Sequence, residues 1–110
     1  LAPENPRVNL IAGESAYYTP KMFGGGKEKA QERLQKALAF FETYSSPSPL
    51  LPDWGHDEAY GYLGIIQSDN ENLQKAEEMF DKGLNLNPAN GWLIMQKEEL
   101  KEKMKGDGDQ

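Results

Sequence analysis

Two stretches of this 110-residue chain carry residues whose types could do chemistry. The first is Gly24-Gly25-Gly26-Lys27, because glycine-rich turns let backbone N–H groups close around phosphate oxygens. A phosphate loop has the pattern Gly-x-x-x-x-Gly-Lys-Ser/Thr after a strand. Here the spacing fails, Glu28 stands where the magnesium-binding hydroxyl belongs, and no strand-like segment precedes. The stretch reads as a structural turn, with Phe23 expected to pack inward as a plug between two helices. The second stretch surrounds His56, the single histidine, with Asp53, Asp57 and Glu58 nearby. One imidazole with scattered carboxylates and no second nitrogen donor falls short of the converging set that a transition metal takes. Asp57 is better explained as the N-cap or first-turn acid of the helix that follows. No metal and no cofactor are expected.

Other chemistry is bounded by composition. Without cysteine there is no disulfide framework, thiolate zinc site, iron–sulfur cluster or cysteine nucleophile. The 18 acidic residues are many, but none sits in an apolar run that would raise its pKa for acid–base work. No enzymatic activity is therefore expected. Residues 1–55 carry six basic and six acidic side chains, and 56–110 carry six and twelve. An acidic half lacks the basic footprint that nucleic acid or anionic lipid requires. No run approaches the roughly 18 apolar residues of a spanning helix. The chain begins on Leu1, which predicts a processed protein or a fragment, and its compartment stays open between cytoplasm and periplasm or export.

The elements that would position any site read as helices. Asn5 and Pro6 start one at 6–18, whose stripe is Val8, Leu10-Ile11-Ala12, Ala16 and Tyr17. Gly13 in its middle costs about 1 kcal/mol relative to Ala, which fits a crossing helix close by. Residues 27–44 form the clearest helix, with Ala30, Leu34, Ala37-Leu38 and Phe41 on one face. Pro47, Pro49 and Pro52 forbid a helix over 45–55. A polyproline ligand is one reading of that segment; Leu50, Leu51 and Trp54 favour a connector that packs back over the helices. Further helices are expected at 57–68, 73–86 and 90–105. Trp92, Leu93, Leu100 and Met104 of the last would cover the preceding pair, and residues 106–110 would form a disordered tail. The whole is an all-α chain, one domain over 1–105, built of antiparallel helix–turn–helix repeats.

The stretch 57–90 carries a recognisable pattern. Tyr60-x-x-Leu63-Gly64, then Ala76-x-x-x-Phe80, then Pro88 resembles the tetratricopeptide repeat, whose period is about 34 residues. Tyr60 stands where Trp is commoner, Gln67 where an aromatic is usual, and Gly83 where Ala is usual. In such a pair Gly64 and Ala76 are close-contact points, Phe80 fills the gap, and Pro88 turns the chain onward. The first half is a looser copy, with Ala30 in register with Ala76, Leu34 with Phe80 and Ala37 with Gly83. Gly13 takes the role of Gly64 if the turn between the helices carries about five extra residues. The chain also resembles bacterial tetratricopeptide-like proteins with a Pro-x-x-Phe-Gly-Gly-Gly element, here Pro20 to Gly26.

The resemblance implies an α-solenoid of about two pairs plus a capping helix, acting as a protein-interaction scaffold. Its partner would be a protein or peptide, with a second copy of the chain among the candidates. The first helix of each pair would line the binding surface, which nominates Arg7, Glu14, Tyr17, Tyr18, Glu58, Tyr62 and Ile65. The alternative is a purely structural role, as a capping or oligomerisation segment of a longer repeat protein.

Overall fold

Asn5 sets the start of the first helix. Its side-chain carbonyl accepts from the backbone N–H of Arg7 at 2.8 Å and of Val8 at 3.4 Å, while Pro6, with no N–H to leave unpaired, takes the first turn. A computed structural model of the chain describes residues 5–43 and 55–108. Among them the elements are α1 (Pro6–Tyr18), a 3-10 turn (Lys21–Phe23), α2 (Lys27–Thr43), α3 (His56–Asp69), α4 (Leu73–Leu86) and α5 (Gly91–Gly108). No strand occurs among the described residues. The chain is all-α, and neighbouring helices pack as helical repeats do: α1 lies against α2 and α3 against α4. The two pairs join through α2 and α3, and α5 closes on α4 and α3. The proline-rich connector, with Leu50, Leu51, Asp53 and Trp54, lies outside the described residues.

The core follows the apolar stripes. Leu10, Ala30, Leu34, Ala37, Ala59 and Ile66 are fully buried and make one cluster where the two pairs meet. Ala76, Phe80, Leu93 and Leu100 make a second, between α4 and α5. Burial of Phe80 alone contributes about 2–3 kcal/mol. Gly55 opens α3 at φ 103°, a left-handed conformation that L side chains rarely adopt. A Cβ there would also come within 2.9 Å of Leu10 Cδ2 and 3.1 Å of Phe41 Cζ. Asp57 and Glu58 follow in the first turn, where carboxylates favour the positive end of the helix dipole.

The turn between α1 and α2 corrects one expectation. Phe23 is no plug between the helices; it is 73% exposed, and neighbouring Met22 is 83% exposed. The backbone holds this turn instead. Phe23 and Gly25 N–H donate to Pro20 O at 2.9 and 3.1 Å, and Gly26 N–H reaches back to Ala16 O at 2.8 Å. A Cβ on Gly25 would lie 2.1 Å from Thr19 O, so the loop folds onto itself and leaves no inward space for a ring. The far end differs too. Helix α5 runs to Gly108 rather than ending at 105, because Gly106 keeps a helical φ and no proline stops it. Residues 109–110 lie outside the described range.

Candidate protein-interaction face

The helices that begin each pair, α1 and α3, touch each other, and α3 touches α5. Along that line an aromatic strip runs from Tyr18 to Trp92. Tyr17 and Tyr18 meet edge-on with ring centroids 5.0 Å apart. Tyr62 of α3 lies 6.2 Å from Tyr17 and 6.3 Å from Tyr18. Trp92 of α5 lies 5.0 Å beyond Tyr62, tilted by 45°. These separations fall within the range in which aromatic edges and faces attract. Tyr18 is 70% exposed, whereas Tyr17, Tyr62 and Trp92 are half-buried.

Polar contacts fix the strip. The Tyr17 hydroxyl donates to Asp69 at 2.7 Å, and Lys27 of α2 approaches the same carboxylate at 3.7 Å. Partial burial, then this hydrogen bond, pushes the Tyr17 phenol up to about 12. Burial first, then the neighbouring Tyr18 hydroxyl, also raises the Tyr62 pKa. One turn before Tyr17, Glu14 is held above the usual carboxylate range by burial first. The charge of Glu58 and a hydrogen bond to it act in the same direction. The carboxyl groups of Glu14 on α1 and Glu58 on α3 are thus near enough to influence each other. Next to them Glu58, Tyr62, Asn90 and Trp92 line a cleft of about 320 Å³. Asn90 is committed: its Nδ2 donates to Asp57 at 2.8 Å, and its Oδ1 accepts from Leu93 N at 3.1 Å, capping α5.

Five of the nominated residues, Glu14, Tyr17, Tyr18, Glu58 and Tyr62, come together here. Two do not. Arg7 lies two turns away, with its guanidinium 6.0 Å from the Phe41 ring centre. Ile65 follows Tyr62 by three residues, a rotation about 60° short of a full circle, and packs toward Phe80 and Leu100 in the second cluster. In the sequence Trp92 has only the place of a residue that covers the preceding pair. Its signal was periodicity: about 34 residues separate Glu58 from Trp92, so α5 takes the position of another first helix. Ala59 and Leu93, both fully buried, stand in the same relation.

The residues nominated for the repeat itself lie as follows. A Cβ on Gly64 would come 2.5 Å from Phe80 Cε1, and one on Gly13 would come 2.7 Å from Leu34 Cγ. A Cβ on Gly83 would come 2.8 Å from Leu93 Cδ1 and 3.1 Å from the Asp57 carbonyl oxygen. Ala30, Leu63, Ala76 and Phe80 are buried. Tyr60 stacks on His56 at 5.4 Å, and His56 stacks in turn on Phe41 at 4.9 Å. Pro88 follows the first residue of a turn closed by Asn90 N to Asn87 O at 3.1 Å, a position that suits its fixed φ.

Other hollows carry less. A cleft of about 490 Å³ involves His56, Asp57, Leu86 and Asn87. Another of about 620 Å³ lies beside the triple glycine and includes Lys21, Lys27 and Lys29. No group of three or more His, Asp or Glu able to hold a metal occurs among the described residues, and no helix among them is long and apolar enough to cross a membrane.

Compared with known proteins, the chain is 33% identical over 89 residues to the PEX5-related protein of Rattus norvegicus, covering 76% of this chain and 15% of that protein. The PEX5-related proteins of Homo sapiens and Mus musculus match at the same identity, with 14% and 16% of their lengths covered. The chain thus spans less than a fifth of the curated relatives it matches. These relatives are mammalian, and the bacterial likeness read from residues 20–26 has no support among them. No family model matches the chain, and no solved structure matches it. The similarity to PEX5-related protein, taken with the all-helical paired architecture, fits a tetratricopeptide-like protein.

Proposed function

We propose that the chain is a non-catalytic protein-interaction module that binds a peptide or protein segment along the face formed by α1, α3 and α5. The observation that carries this reading is the aromatic strip Tyr17–Tyr18–Tyr62–Trp92, which spans three helices and stays partly open to solvent. Tyr and Trp offer large rigid contact area at low entropic cost, with a polar edge for hydrogen bonding. The similarity to PEX5-related protein supports a protein-interaction role of the tetratricopeptide type. Site-specific photo-crosslinking tests the proposal. Benzoylphenylalanine at position 18 should capture a peptide partner efficiently, whereas the same probe at exposed Glu78 on α4 should not. Equal capture at both positions would overturn it.

A second reading has its own observation. Leu86, Ile94 and Met95 are roughly half exposed at the α4–α5 end, and Ile11, Met22 and Phe23 are exposed on the α1–α2 pair. Such apolar ends suit stacking in a longer array or self-association. Sedimentation across a concentration series distinguishes the two: growth in mass favours stacking, while a persistent monomer that also fails to bind peptide removes both.

A further inference from the structure

Four features of the aromatic strip bear on what kind of side chain it takes. First, the Tyr62 and Trp92 rings meet tilted at 45° with centroids 5.0 Å apart, and both line one cleft. Second, Glu58 lines that same cleft, and none of its lining residues is basic. Third, Glu14 of α1 lies close enough to Glu58 of α3 to feel its charge, which adds to burial in raising the Glu14 pKa. Fourth, two of the nearby donors are spent, the Asn90 amide on Asp57 and the Tyr17 hydroxyl on Asp69. A carboxylate or phosphate entering here would meet the like charge of Glu58. A cation would meet two aromatic rings and the Glu58 carboxyl group, with Glu14 beside it.

We infer that the Glu58–Tyr62–Trp92 cleft receives a lysine or arginine side chain of the bound segment, its stem across the two rings and its charged head toward Glu58 and Glu14. The inference rests on the peptide-binding reading above and sharpens it: the partner is a basic extended peptide. A cation there would also offset the Glu58 charge that Glu14 feels.

The test uses the full chain, isotopically labelled, and short terminally blocked peptides of Ala, Ser and Leu with a central Arg, Lys, citrulline or Glu. Arg and Lys peptides should shift the Trp92 indole and Glu58 amide resonances and bind about tenfold more tightly than the citrulline peptide, the size of one partly desolvated cation–π and charge contact. Glu58→Gln and Glu14→Gln should each shrink that preference, while Glu78→Gln, the same change in net charge on α4, should leave it intact. If all four peptides shift the strip equally, or if Glu78→Gln acts as strongly as Glu58→Gln, the cation site is wrong and the interaction face survives. If none shifts the strip, both readings fail. A preference for the Glu peptide would overturn the inference outright.

Discussion

The two helix pairs solve the same crossing with different side chains. In α1–α2, Gly13 faces Leu34; in α3–α4, Gly64 faces Phe80. The connection in the first pair runs over residues 19–26, five more than the 70–72 connection of the second. A flexible aliphatic chain needs less room than a ring, and the longer turn is stabilised by its own backbone hydrogen bonds rather than by a residue of the core. The first pair therefore tolerates adjustment, while the second concentrates its packing in one buried ring. The difference teaches that a glycine at a helix crossing is required to the degree that the opposing side chain is rigid.

Truncation of the two filling residues should separate the pairs most strongly. Phe80→Ala should cost about 3–5 kcal/mol and Leu34→Ala about 2–4 kcal/mol, read from urea unfolding monitored by circular dichroism. A larger loss from Leu34→Ala would break the claim that the second pair is the more rigid. Next in size are the glycines. Each Ala gains about 1 kcal/mol of helix propensity, against an overpacking cost of roughly 1–3 kcal/mol. Gly64→Ala should be destabilising by about 1–2 kcal/mol, because the Phe80 ring has no slack, while Gly13→Ala should fall within about 1 kcal/mol of neutral. Pairing Gly64→Ala with Phe80→Leu should recover part of the loss, and strict additivity in that cycle would contradict the contact.

The tie between the pairs predicts smaller effects. Tyr17→Phe removes the hydroxyl that donates to Asp69 and should cost about 1 kcal/mol. The raised Tyr17 phenol contributes stability that is complete below its unfolded value and is lost as pH rises through about 12. Melting temperatures in alkaline buffer should fall more steeply for the native chain than for Tyr17→Phe. Smallest is Glu14→Gln. The raised carboxyl favours the fold below its unfolded pKa of 4.5, and that contribution is lost as pH rises through the folded value. At neutral pH the variant should gain a few tenths of a kcal/mol after solvent screening, and in acid it should gain nothing. A destabilised Glu14→Gln at pH 7 would mean that the carboxyl pair serves the fold.

Much of this fold was legible without coordinates because it rests on local rules. The face of Ala30, Leu34, Ala37 and Phe41 repeats at the helical period, and Asn5-Pro6 opens a helix by hydrogen bonding and a fixed φ. Phe23 shows where such reasoning stops. An aromatic residue in a glycine turn reads as core, yet the backbone bonds among Ala16, Pro20 and Gly26 close the space it would have filled. The strip was half legible: Tyr17, Tyr18 and Tyr62 could be nominated from a repeat register. Ile65 could not be separated from them, because which side of α3 stays open depends on where α5 lies.

By itself, then, the order of residues determined the all-α character, the pairing of adjacent helices and the positions of the small residues, since periodicity, caps and breakers act within a turn or two of chain. Only the tertiary structure decided that Trp92 meets Tyr62, that Glu14 meets Glu58 and that Arg7 and Ile65 turn elsewhere. Those outcomes depend on how far one helix rotates against the next. That rotation is set by the packing of Leu34, Phe80 and Leu93 against facing glycines, residues distant in sequence whose shapes act only once the helices are in contact.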